Sequence, residues 1–141
     1  MALSTSAGLL VPSTSEAVAA PDIFDGEIAL GEDAFEDESF DVVWSSMFLH
    51  ELSKKQRAKA FEEAYRVLKP GGTFIIADSL QFGDNEGVDG FLEYFPEGFH
   101  EPYYKGYLKW AFDPHMDQAG FTAERLQLAF LTKVRVWRKE S

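Results

Sequence analysis

The sequence predicts an α/β fold built on a mostly parallel sheet with antiparallel strands towards its C-terminal end. Three observations carry this. Phe40–Ser45 and Thr73–Asp78 are apolar, β-branched runs of strand length with no polar alternation, the pattern of strands covered on both faces. Between them lies a segment of helical period and length, which makes the trio a βαβ crossover, parallel and right-handed. After it, Glu124–Ala129 and Leu131–Trp137 stand close together as two further strands, too close for a second crossover.

The elements follow in order. Residues 1–26 are rich in Ser, Thr, Ala and Pro without a helical or strand period, and are expected to be a loose tail. Their first 22 residues hold no Arg and no long apolar run, which fits neither a transit peptide nor a secretory signal; the compartment is not fixed by the sequence, with the cytoplasm favoured over import into an organelle. The domain is expected to run from 27 to 141, beginning with a short strand at Glu27–Leu30, an acidic loop from Gly31 to Ser39, and the strand from Phe40. Ser53 with Gln56 three residues on forms a capping box. Ala58, Phe61, Tyr65 and Leu68 make one apolar stripe, with Lys54, Lys55, Arg57 and Lys59 largely off it. Pro70-Gly71-Gly72 stops this helix before the second strand. Residues 79–112 read as irregular, dense in Gly, Tyr and Phe. Asp113–Ala119 reads as a short helix ended by Gly120.

Composition bounds the function. The 141 residues suit one domain, and 45% apolar content with 13 Phe supplies a core. There is no Cys, so no disulfide, thiolate zinc site or Cys nucleophile. The net charge of −11 argues against nucleic acid as a partner. No apolar run is long enough to span a membrane. All of the net charge falls in residues 1–53, which hold 11 acids and no Lys or Arg. The three histidines, His50, His100 and His115, lack metal-ligand spacing, so no metal is expected.

In an open α/β sheet ligands bind beyond the carboxyl ends of the strands, here Ser45-Ser46-Met47 and Asp78-Ser79-Leu80. The stretch Ser39-Phe-Asp-Val-Val-Trp-Ser-Ser-Met-Phe-Leu-His-Glu-Leu52, followed by Arg66-Val-Leu-Lys-Pro-Gly-Gly72 and an apolar strand, resembles the second half of a class I S-adenosylmethionine-dependent methyltransferase of the small-molecule, type 11-like branch. The resemblance covers residues 27–78 and implies a partial Rossmann-like methyltransferase fold. The family's opening βαβ half and its acid-plus-Gly-rich turn have no counterpart in the sequence.

The resemblance implies methyl transfer from S-adenosylmethionine to a small-molecule acceptor, with a donor site incomplete in this chain. The alternative it leaves is a catalytically inactive remnant that serves as a protein-interaction subunit. Asp33 matches the carboxylate that accepts from the adenine amine, and Ala34 its neighbour. Ser45 matches the strand-end residue whose carbonyl faces the donor's ammonium, and Met47 lines the same cleft. His50 matches the "LH-L" position, read as a helix-entry histidine bonded to backbone. His100, Tyr103 and Tyr104 are the candidates for the acceptor side, with Glu101 a second candidate for proton removal; no catalytic base is assigned. With the first half absent, Phe40–Ser45 becomes an edge strand, open to a second copy or a partner chain.

Overall fold

Phe40–Ser46 (β2), Lys54–Val67 (α1) and Leu68–Ser79 (β3) form the expected crossover, and β2 and β3 pair in parallel, with Val43 opposite Phe74 and Ser45 opposite Ile76. The chain is described by a computed structural model over residues 10–12, 35–99 and 101–141. A 3-10 turn at Leu49–Glu51 leads into α1, whose start carries the capping box: Gln56 N donates to Ser53 Oγ and Ser53 N to Gln56 Oε1. Gly72 is required where it stands. A Cβ there would lie 2.8 Å from the Lys69 carbonyl oxygen and 2.9 Å from a Leu68 methyl carbon.

Three helices follow, Asp89–Phe99 (α2), Tyr104–Leu108 (α3) and Phe112–Ala119 (α4). The first two lie in the segment expected to be irregular. Pro96 sits inside α2 between Gly90 and Gly98, and such residues hide a helix from a propensity reading. Gly120 ends α4 at φ +96°, the left-handed cap that glycine takes without strain. Phe121–Ala129 (β4) and Thr132–Lys139 (β5) form an antiparallel pair, and β5 also pairs antiparallel with β3, placing Trp137 beside Phe74 and Lys133 beside Asp78.

Leu10–Pro12 (β1) pairs antiparallel with β2, so the sheet order is β1-β2-β3-β5-β4. This corrects the expectation that Phe40–Ser45 would be the outermost strand. The three residues come from the segment read as a loose tail. The remainder of that segment, and the short strand expected at 27–30, fall outside the described residues.

The core lies on one face of the sheet. Phe61 of α1 packs at ring-centroid distances of 5.9 Å from Phe74, 5.3 Å from Trp110 and 6.0 Å from Phe112. Phe112 in turn lies 6.1 Å from Trp137. Val43, Phe74, Ile76 and Trp137 are buried there, whereas Val42, Ile75, Val134 and Val136 on the opposite face stay half-buried and Trp44 is 44% exposed.

The buried residues within α1 are Arg57, Phe61, Ala64 and Val67; of the expected stripe, Phe61 and Leu68 (the first residue of β3) are buried, while Ala58 and Tyr65 are half-buried. Arg57, expected off the stripe, is 2% exposed. Its guanidinium lies 4.9 Å from the Trp110 ring centroid and 5.7 Å from that of Tyr107. The attraction of a delocalised cation for aromatic faces offsets part of its burial cost. Lys139, at the far end of β5, donates to the carbonyls of Tyr65 and Leu68 at 2.9 and 2.7 Å, a cation on the C-terminal end of α1.

Candidate functional site

The carboxyl ends of β2 and β3 meet at one carboxylate. Asp78 is fully buried. Its Oδ2 accepts from the backbone N–H groups of Phe48 and Leu49 at 3.2 and 2.8 Å, and its Oδ1 from Ser79 N at 2.7 Å. His50 Nδ1 lies 2.6 Å from the same Oδ1. The donors come from the turn after β2 and from the residue after Asp78. The acid therefore ties the two strand ends together, and a buried carboxylate supplied with this many donors is fully satisfied.

His50 is thus partnered by the Asp78 side chain rather than by the expected backbone group. The signal was present in the sequence as a polar residue ending a strand that is otherwise apolar. Burial opposes charge on His50, but the hydrogen bond and field of Asp78, helped by Glu101 and Glu51, outweigh it and raise its pKa above the ordinary 6.5. Burial, with Glu101 and Asp78 nearby, also raises Glu51 against the opposing pull of His50. An imidazole held through Nδ1 keeps Nε2 as its other proton-carrying position.

Aromatic side chains close over this pair. Tyr104 and Tyr107 stand edge-on to the imidazole, with centroids at 5.7 and 6.1 Å. The Tyr104 hydroxyl lies 2.5 Å from Ser79 Oγ, and Tyr107 donates to the Ser79 carbonyl at 2.5 Å. Burial raises the pKa of both phenols, that of Tyr107 far above its ordinary value. Both are neutral hydrogen-bonding groups at physiological pH.

The expected site residues are distributed as follows. Ser45 is buried in β2 with its Oγ lacking a partner among the described residues. Met47 follows at φ +48° and 43% exposed, with its N–H donating to the Ala77 carbonyl at 2.8 Å. A long side chain in the left-handed region is strained, and such strain gathers at functional turns. Tyr104 is brought against His50, while Tyr103 lies exposed at the start of α3. Glu101 Oε2 is buried with no partner among the described residues. Asp33, Ala34 and His100 fall outside the described residues. Among the described residues no three His, Asp or Glu side chains gather as metal ligands, and no helix is long and apolar enough to cross a membrane.

The strand ends therefore carry a strained turn at Met47 and a buried acid at Asp78, with Tyr104 and Tyr107 beside its partner His50. A cationic group is favoured by such surroundings.

Residues 11–76 match a family model described as a methyltransferase domain. Over 68 residues the chain is 46% identical to the sarcosine/dimethylglycine N-methyltransferase of Aphanothece halophytica, covering 47% of this chain and 23% of that protein. Among solved structures, a chain of the complex between the Haloferax volcanii Trm112 methyltransferase activator and a methyltransferase superposes with a TM-score of 0.57 at 19% identity, covering 79% of this chain and 59% of that one. A SAM-dependent methyltransferase from Methanosarcina mazei gives 0.53 at 20% identity, with 76% and 62% covered. The chain spans about a quarter of the curated relative and under two thirds of these two solved chains.

Proposed function

We propose, from the premise that this chain carries part of a class I S-adenosylmethionine-dependent methyltransferase domain, that it takes part in methyl transfer from that donor to a small-molecule acceptor. The observation that carries this is the parallel β2-α1-β3 crossover, whose strand ends converge on Asp78 within residues that resemble the family. When bound, the donor supplies a sulfonium methyl that is already electrophilic. The protein's work is then to hold and orient.

The donor side is assigned to Ser45 and Met47, and Asp33 and Ala34, outside the described residues, are assigned to it from the family resemblance alone. The backbone of the strained Met47 turn, fixed by its bond to Ala77, offers a rigid edge. Asp78, Glu51 and Glu101 give the surroundings of His50 a negative field, which suits a cationic donor and a basic acceptor alike. Tyr103 and Tyr104 are assigned to the acceptor side, and His100, outside the described residues, is assigned there from the sequence alone. The name of the Aphanothece protein, an enzyme for sarcosine and dimethylglycine, supports a small acceptor.

A second reading is favoured by one specific observation. Among the described residues one face of the sheet has no helix over it and carries the exposed Trp44 on β2, in a sequence that lacks the Gly-rich turn. On this reading the chain is an inactive remnant that binds a partner chain or a second copy through β1, β2 and that face. The Haloferax complex, in which a methyltransferase meets an activator protein, supports the general idea of a partner. Calorimetry with S-adenosylmethionine separates the two. Binding at micromolar ligand favours methyl transfer, and no heat at millimolar ligand favours the interaction subunit.

A further inference from the structure

On the other side of α3, away from His50, the structure holds a cavity of about 470 Å³. That is within the ~300–1,000 Å³ of small-ligand sites. Tyr104 and Tyr107 of α3 face His50, whereas Leu108 lines this cavity. Phe82, Trp110, Phe112 and Leu126 give it apolar walls, and Lys133 and Arg135 project into it from β5.

The two cations differ in what they have left to offer. Lys133 is buried and committed. Its Nζ lies 2.5 Å from Gln81 Oε1, 2.8 Å from Asp84 Oδ2 and 4.8 Å from the Phe112 ring centroid. Gln81 is itself locked, donating through Nε2 to the carbonyls of Tyr107 and Trp110. Arg135 has a side chain only 15% exposed, stacked 4.9 Å from the Trp137 centroid, and among the described residues its one hydrogen bond runs from Nη2 to Asp113. A guanidinium carries five N–H donors, so at this cavity-lining side chain most of them have no hydrogen-bond partner among the described residues. Asp113, whose side chain is 58% exposed, occupies the rim.

We propose that this cavity binds a small carboxylate with an apolar or aromatic body. The carboxylate is taken by Arg135, in the fork geometry that guanidinium offers. The body packs against Phe82, Trp110 and Leu126. Asp113 then acts as the group an incoming carboxylate displaces. The site needs no methyl donor and stands apart from the methyl-transfer reading.

The test is calorimetry on the full chain with phenylacetate as probe and phenylacetamide as its uncharged counterpart. Phenylacetate is expected to bind saturably at one site, about tenfold more tightly than the amide, because a charge-assisted bond to Arg135 is lost in the amide. Asp113→Asn is expected to tighten phenylacetate by about threefold or more, since a competing carboxylate leaves the rim. Leu126→Glu, at a half-exposed position, is expected to weaken it by about tenfold through repulsion and lost packing. Arg135→Gln should abolish the preference for the acid over the amide. No saturable binding of phenylacetate by the wild-type chain up to about 10 mM, a Kd weaker than roughly 3 kcal/mol of affinity, overturns the proposal. So does unchanged affinity in both Asp113→Asn and Leu126→Glu, whose exposed sites keep the fold intact.

Discussion

The two faces of the sheet are built from similar residues and are treated differently. Phe74, Ile76 and Trp137 on one face disappear beneath α1 and α4, while Ile75, Val134 and Val136, their neighbours in the same strands, remain half-buried beside an exposed Trp44. A parallel pair is normally covered on both sides. The apolar runs at Phe40–Ser45 and Thr73–Asp78 encode that double cover, and the described helices that pack on the sheet supply only one side of it. An apolar pattern reports the environment a strand is suited to, and one chain need not provide all of that environment.

The contrast breaks most sharply at Phe61. Phe61→Ala removes the ring that joins Phe74, Trp110 and Phe112, and is expected to cost about 3–5 kcal/mol, read as a fall in the urea midpoint. A loss below about 1 kcal/mol would mean that the covered face is not the core.

The second experiment sharpens the contrast by titrating the covered side. The raised pKa of His50 means that its pairing with Asp78 contributes stability fully below the ordinary imidazole value of 6.5. That contribution is lost as pH rises through the higher folded-state value. Thermal midpoints are therefore expected to fall across that window. In His50→Gln the slope should flatten, and a slope unchanged from wild type would remove His50 as its source.

The smallest effect belongs to the open face. Trp44→Lys is expected to change monomer stability by no more than about 0.5 kcal/mol, as surface substitutions do. It should also shift sedimentation towards the monomer wherever the wild-type chain self-associates. A loss of several kcal/mol would show that something in the chain already covers Trp44.

Much of the crossover was legible in the sequence because its signals are local. The Ser53–Gln56 capping box, the β-branched runs and the glycine that ends α4 each act within a few residues, and each is found at its expected place. What escaped depends on partners distant in sequence. Arg57 reads as a solvent-facing cation until Tyr107 and Trp110, some 50 residues on, come over it. His50 finds its acid 28 residues away. The helix around Pro96 holds despite poor local propensity. The candidate site was half legible. The strand ends and Tyr104 converge, but the role of Asp78 as their common anchor rests on three backbone donors that no spacing announces.

The strand order β1-β2-β3-β5-β4 has a consequence for how the molecule is made. During synthesis β4 leaves the ribosome before the strand that separates it from β3. Until residues 132–139 emerge, β3 offers a raw edge and β4 has nothing to zip onto. Closure of the sheet thus waits for residues 132–139, and the clasp of Lys139 on the end of α1 forms only once they have emerged. A nascent chain stalled just short of that stretch would be a sticky intermediate, and a natural client for a chaperone.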